Sequence, residues 1–377
     1  MENTPFLEEY HLKLAEQVTR FIREESLEAQ PGEIEDDHAR RLIRLLAREG
    51  LLEYTAPQGK DNRLDARALC VIREHLSYNS SMADLMFTMQ GLGSFPVSIA
   101  GSEEMRCRLL PAVRSGEAIA AFAITEPDAG SDAAAIKTMA RRDGDNYVLD
   151  GKKIFISNAG IANFYTVFAK TDAEKGAKGI SAFLVERDRP GFSFEGKIEL
   201  IAPHPIGRIA FNACRIPVSN LLGEEGHGFK IAMATLDMFR PTVGAAAAGL
   251  AWRAMDEAIS YAKRRVQFGK AIAEFQSIQI KLADMATELE AARLLVHRAA
   301  WKKDSGADRV TKEAAMAKLF ATESAQRIID QAVQIHGGAG VVAGATVEKL
   351  YREVRALRIY EGTSEIQKLV IAGQVLK

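Results

Sequence analysis

The feature that most constrains the fold is a change of hydrophobic period along the chain. Leu12, Ala15, Val18 and Ile22 recur at spacings of three and four, the period of one helix face. Pro31-Gly32 is expected to break that helix, and Leu42, Leu45 and Leu46 begin another. Gly91, Gly93 and Pro96 are expected to interrupt a further apolar stretch from Met82. Residues 1–117 therefore read as a helical domain. From 118 to 225 the period shortens. Tyr147-Val148-Leu149 and Ile154-Phe155-Ile156 flank Asp150-Gly151, a pattern that predicts a hairpin. Short β-branched and aromatic runs follow at 165–168, 180–185 and 192–194, so this segment reads as a mostly antiparallel β domain. Beyond Gly223-Glu224-Glu225-Gly226 the helical period returns. Leu282, Met285, Leu289, Ala292, Val296 and Ala299 form one seam, and Ala321, Ala325, Ile328, Ala332 and Ile335 another. Such seams make residues 226–377 a helical bundle whose alanines permit close approach. The expected class is α+β multidomain, in the order α, β, α.

Composition removes several functions. Acids and bases nearly cancel, 50 against 49, which leaves no strong field for a nucleic-acid backbone or an anionic membrane. Cys70, Cys107 and Cys214 lie far apart without a C-x-x-C pair, as in a reduced, cytoplasmic protein. Met1-Glu2-Asn3-Thr4-Pro5 and the acidic Glu8-Glu9 do not resemble an export signal. The longest small-apolar run, Val243 to Trp252, is ten residues, where a bilayer span needs about 20.

Gly223–Gly228 (GEEGHG) and Gly337–Gly340 (GGAG) lack the spacing of a dinucleotide fingerprint; the first reads as a boundary turn, the second as a helix end. The seven histidines show no metal-binding spacing, His336 reads as a helix-end residue, and no G-x-S-x-G elbow occurs. Two stretches carry more. In AFAITEPDAGSD (121–132), Pro127, Gly130 and Ser131 force an irregular loop with free backbone amides, able to meet a polar ring or a phosphate; a plain polar turn has the same composition. In RIYEGTSEI (358–366), Glu361 sits between an aromatic residue and a glycine. It reads either as a desolvated base or as part of a cap region in which Thr363 or Ser364 starts a helix through Ile366, Leu369 and Val370. On the residues alone the cap is somewhat favoured.

AFAITEPDAGSD, GKKIFISNAG, YAKRRVQFGKAIAEFQSIQIKLADMAT, AVQIHGGAGV and LYREVRALRIYEGTSEIQ, in this order, resemble the acyl-CoA dehydrogenase family, a resemblance that extends along nearly the whole chain. It implies an FAD enzyme in which Phe122, Ile124 and Thr125 meet the isoalloxazine through backbone and hydroxyl groups. Phe155 and Ser157 would pack on and hydrogen-bond that ring. Arg265, Gln276, Gln334, Gly337 and Gly338 would bind the FAD pyrophosphate and adenosine across the interface of a homotetramer, with Thr363 and Glu365 on the other side. Ser131 would touch the CoA arm, and Asp237 and Arg240 would reach its adenosine end. Glu361 would be the catalytic base, and Gly362 would leave space for the substrate carbonyl. Some branches of the family take the base from the helix around Asp237 to Arg240, where this chain has Met238 and Phe239.

Two stretches depart from the family pattern: residues 201–211, which are short and contain Pro203-His204-Pro205, and residues 54–63, which lack the usual Pro-x-x-x-Gly-Gly. In the glutaryl-CoA branch an arginine precedes the position of Gln90 by six residues. Asp84 stands there, and its carboxylate is expected to repel a distal carboxylate. The resemblance thus implies α,β-dehydrogenation of an acyl-CoA, with electrons passed to an electron-transfer flavoprotein. The alternatives are an acyl-carrier-protein thioester dehydrogenase, a flavin oxidase, or a catalytically silent relative of the same fold.

Overall fold

The computed structural model describes residues 5–57, 63–307 and 309–377. The N-terminal residues Met1 to Thr4 and part of the atypical 54–63 stretch lie outside them. Five helices come first: α1 (Glu9–Glu24), α2 (Glu35–Arg48), α3 (Ala66–Asn79), α4 (Ser81–Ala100) and α5 (Glu103–Arg114). In α1 the buried stripe is Leu14, Ala15, Val18 and Phe21, so Leu12 and Ile22 flank the predicted face. Helix α3 is buried on nearly every side and starts at Asp65, whose carboxylate accepts the Ala68 N–H at 2.8 Å.

The expected break in α4 does not occur. The helix runs through Gly91, Gly93 and Pro96 without interruption. Gly93 serves packing: a Cβ there would lie 2.7 Å from the Ala121 nitrogen and 2.8 Å from the Ala120 side chain.

The β segment contains β1 (Ala120–Ala123), β2 (Met139–Asp143), β3 (Asn146–Ser157), β4 (Phe164–Lys170), β5 (Ile180–Glu186), β6 (Phe192–Lys197), β7 (Ile206–Pro217) and β8 (Leu221–Leu222). They form one sheet in the order β6-β7-β3-β2-β4-β5-β8, with β1 parallel to β4. The predicted hairpin at Asp150-Gly151 is corrected. Both flanking runs belong to the single strand β3, and the turn lies at Gly144-Asp145 between β2 and β3. Gly151 marks a register shift against β7, at a site where a Cβ would lie 2.4 Å from the Thr138 hydroxyl.

The chain then returns to helix: α6 (Gly228–Arg264), the small hairpin β9 (Val266–Gln267) and β10 (Lys270–Ala271), α7 (Gln276–Asp304), α8 (Thr311–His336), α9 (Thr346–Val354) and α10 (Ser364–Val375). The expected seams are buried, Leu282 excepted, which is half-buried. Packing gathers the chain into two compact units. One contains Met1–Leu27, Asp65–Asp84 and Asp237–Lys377; the other contains Glu28–Leu64 and Leu85–Leu236. The N-terminal helices are therefore shared out: α1 and α3 pack with the C-terminal helices, whereas α2 and α5 belong with the sheet.

Candidate active site

In the first unit the segment between α9 and α10 makes a tight turn. Glu361 has φ +54° and Gly362 φ +94°, two successive left-handed residues. For glutamate this conformation costs about 1–3 kcal/mol and persists only where the surroundings hold it. Three donors do so. Arg240 Nε donates to the Glu361 carbonyl at 3.2 Å and Lys318 Nζ to the Gly362 carbonyl at 2.8 Å; Gln367 Nε2 donates to both, at 3.1 and 3.0 Å.

Thr363 then starts α10, accepting the Ile366 N–H at 3.3 Å. The cap is real and belongs to Thr363, while Glu361 is not part of it. Gly362 is required by its φ and by crowding: a Cβ would meet Gln367 Nε2 at 2.6 Å.

Glu361 is half-buried as a residue, but its Oε2 is out of solvent and has no hydrogen-bond partner. Its N–H likewise has no partner among the described residues. Burial holds the carboxyl above the usual glutamate range, opposed by the nearby charges of Arg73, Lys318 and Arg240 and reinforced by Asp84.

Arg73 and Asp84 form a buried bidentate pair, Nε–Oδ1 and NH2–Oδ2 both at 2.7 Å, with Arg73 NH1 on Thr242 Oγ1 at 2.8 Å. The charge of Asp84 is thus paired with Arg73, although Asp84 still raises the carboxyl of Glu361. Arg240 is buried, with NH1 on Asp237 Oδ1 at 2.9 Å and Nε on the turn; Thr311 donates to the other Asp237 oxygen at 2.6 Å. Met238 and Phe239 are buried, and neither carries a carboxyl group.

Arg73, Lys318 and Gln367 escape a reading by motif. Their sequence signal is a polar residue on an apolar helix face. Lys318 falls in the series Ala314, Lys318, Ala321, Ala325, and Arg73 falls between Leu69 and Leu76.

The sheet unit carries the other expected ring contacts. Phe122 is buried with its ring 4.9 Å from that of Phe168, which leaves only its backbone for a ligand; Ile124 and Thr125 are half-buried at the end of β1. The 121–132 loop is less open than expected, because Glu126 and Ala129 exchange backbone hydrogen bonds at 3.0 and 3.1 Å. Its anchor is the Glu126 carboxylate, which takes the Lys153 ammonium at 2.8 Å and the Thr138 N–H at 3.0 Å. Ser131 and Gly130 are exposed at its tip. Phe155 is 53% exposed with φ +56°, an aromatic face presented from a left-handed backbone. The Ser157 hydroxyl lies 2.7 Å from His204 Nε2, and the His204 backbone N–H donates to Glu35 Oε2 at 3.1 Å. The Pro203-His204-Pro205 departure thus holds Ser157. Burial pushes the His204 imidazole down to about 4, so it is neutral at pH 7.

Arg265, Gln276, Gln334, Gly337 and Gly338 are all exposed. They share one end of the helical unit. The Tyr261 and His336 rings stack at 4.3 Å, and Lys281 donates to Gln331, which sets the start of α7 beside the end of α8. Gly337 has φ +58°, and neither it nor Gly338 has an atom within 4 Å of a built Cβ. Thr363 and Glu365 are elsewhere: Ser364 bonds Glu323, about three helical turns along α8 from Gln334.

These features fit a flavin dinucleotide. An exposed aromatic face, bare glycine peptides and an exposed arginine suit a planar ring and a pyrophosphate.

Three family models match in order: the acyl-CoA dehydrogenase N-terminal domain over residues 8–117, the middle domain over 121–214 and the C-terminal domain over 226–376. The 3-(aryl)acrylate reductase of Clostridium sporogenes is 42% identical over 99% of this chain and 100% of its own. The structure of butyryl-CoA dehydrogenase from Megasphaera elsdenii covers 100% of both chains at a TM-score of 0.90 and 34% identity. A chain from a structure described as the electron transferring flavoprotein of Acidaminococcus fermentans covers 100% of both at a TM-score of 0.91 and 36% identity. The chain belongs to the acyl-CoA dehydrogenase family, and is an FAD-dependent oxidoreductase acting on acyl-CoA.

Proposed function

We propose that the enzyme converts an acyl-CoA to the 2-enoyl-CoA with Glu361 as acceptor of the α-proton. The observation that carries the reading is the Glu361 carboxylate, buried, unpartnered at Oε2 and held on a strained turn. A proton α to a thioester is too weakly acidic for a carboxylate in water. Desolvation raises the basicity of Glu361 toward its task, and its free N–H is available to a thioester oxygen on which negative charge develops. When bound, FAD supplies a hydride acceptor for the substrate β-carbon.

Phe122, Ile124, Thr125, Phe155 and Ser157 hold the ring in this reading, Ser131, Asp237 and Arg240 serve the CoA side, and Gly362 lies beside the substrate carbonyl. Arg265, Gln276, Gln334, Gly337, Gly338, Thr363 and Glu365 hold the rest of the cofactor. Electrons leave to an electron-transfer flavoprotein. We place the enzyme in the cytoplasm as a homotetramer. Phe268 at 95% exposure and Val341 at 71%, beside the exposed Arg265 and Gly337-Gly338, supply apolar surface for a subunit contact.

The test is Glu361→Gln under anaerobic single-turnover conditions, followed by flavin bleaching. Loss of a general base is worth ~10²–10⁴-fold, and the upper end is expected for so weak an acid, with FAD content unchanged. Bleaching at near wild-type rate would remove Glu361 from the mechanism. On a panel of short, branched, aromatic and dicarboxylic acyl-CoAs, glutaryl-CoA should not be decarboxylated, because each guanidinium nitrogen of Arg73 already bonds Asp84 or Thr242.

A second reading runs the same site in reverse. It is favoured by the likeness to a 3-(aryl)acrylate reductase: a Glu361 carboxyl with a raised pKa also suits proton donation to the α-carbon. Prereduced enzyme reoxidised by an aryl-enoyl thioester faster than an acyl thioester bleaches the oxidised enzyme would establish that direction.

A further inference from the structure

We propose that Lys318 is a positioning residue for Glu361: its buried ammonium pins the peptide after Gly362 and sets a positive charge near the neighbouring carboxyl group. The inference rests on Glu361 being the base.

Lys318 has no solvent exposure, and its Nζ meets the Gly362 carbonyl at 2.8 Å. That carbonyl cannot join a helical ladder, because φ +94° at Gly362 turns the chain before α10 begins. Gln367 shares the load on the Gly362 carbonyl, and Arg240 supports the preceding one. Of the three donors, only Lys318 is fully buried, carries a charge and touches no carboxylate within hydrogen-bond distance. An unpaired buried ammonium is costly, so it stays charged only if the field around it is negative. Glu361 on the turn, Glu323 on α8 and Glu365 on α10 favour its charge, while Arg240 on α6 opposes it. Burial brings the ammonium down to about 8, which leaves it mostly protonated at neutral pH. Around Glu361 the balance is completed by Arg73, Asp84 and the buried Tyr360 phenol.

Two variants separate the roles. Lys318→Gln keeps a donor for the Gly362 carbonyl and removes the charge; Lys318→Met removes both. A cation beside a carboxylate lowers its pKa, so removing the cation raises it. The acid limb of kcat/KM for anaerobic flavin reduction should move to higher pH by about one unit in both variants. The plateau above that limb should fall about tenfold in Lys318→Met and little in Lys318→Gln, where the turn is still held. Lys318→Gln carries the test if the Met variant does not fold. A folded, FAD-loaded Lys318→Gln with the wild-type acid limb overturns the proposal. The underlying reading fails separately, through a Glu361→Gln variant that still turns over.

Discussion

Asp84→Asn should cost about 3–5 kcal/mol of stability, far more than an ordinary polar substitution. The Arg73 and Asp84 side chains are 2% and 7% exposed, and two 2.7 Å contacts join them side by side. Asparagine keeps the shape but not the charge, leaving the guanidinium buried with Thr242, a neutral amide and the more distant Tyr360 and Glu361. The cost is that of an uncompensated buried cation, and it differs from the worth of the pair. Replacing both partners, as Arg73→Met with Asp84→Leu, should therefore recover most of the loss.

The assay is a double-mutant cycle on urea midpoints at fixed protein and FAD concentration, valid only where the slopes agree. The charge also reaches Glu361. Asp84 raises the carboxyl of Glu361, so its removal lowers it, and the acid limb of kcat/KM should move to lower pH, opposite to the Lys318 variants. A single-variant loss below about 1 kcal/mol, or a strictly additive cycle, would refute the account.

Gly249→Ala should destabilise by about 3 kcal/mol or more, since its Cβ would sit 2.1 Å from the Glu74 carbonyl and 2.2 Å from the Ser77 hydroxyl, where α6 crosses α3; thermal unfolding at saturating FAD checks it. Acid should also weaken the fold through His11, fully buried and pushed by burial down to about 4. The unfolded chain takes up that proton first, so stability falls as pH drops from about 6.5 toward 4. The ceiling is about 3 kcal/mol, and a His11→Gln variant should show a flatter pH dependence of its urea midpoint.

The helical seams and the short strands of the middle segment were legible because each is a local period, and burial against a neighbour preserves that period. A helix cap at Thr363 or Ser364 was legible as well, a matter of one side chain and the N–H three residues on, and the structure assigns it to Thr363. The hairpin at Asp150-Gly151 and the break in α4 were misread for one reason. Glycine signals either a turn or a close approach, and only the partner distinguishes them: Thr138 stands against Gly151, and Ala120 and Ala121 stand against Gly93.

Tertiary structure alone decided the surroundings of Glu361. Arg73, Lys318, Arg240 and Gln367 come from α3, α8, α6 and α10, and no spacing in the chain encodes their convergence. Asp84 shows the same limit. From sequence it is an unmatched carboxylate, and in the fold it is half of a neutral pair, because the sign of a local field depends on every charge brought near and not on the residue that carries one of them.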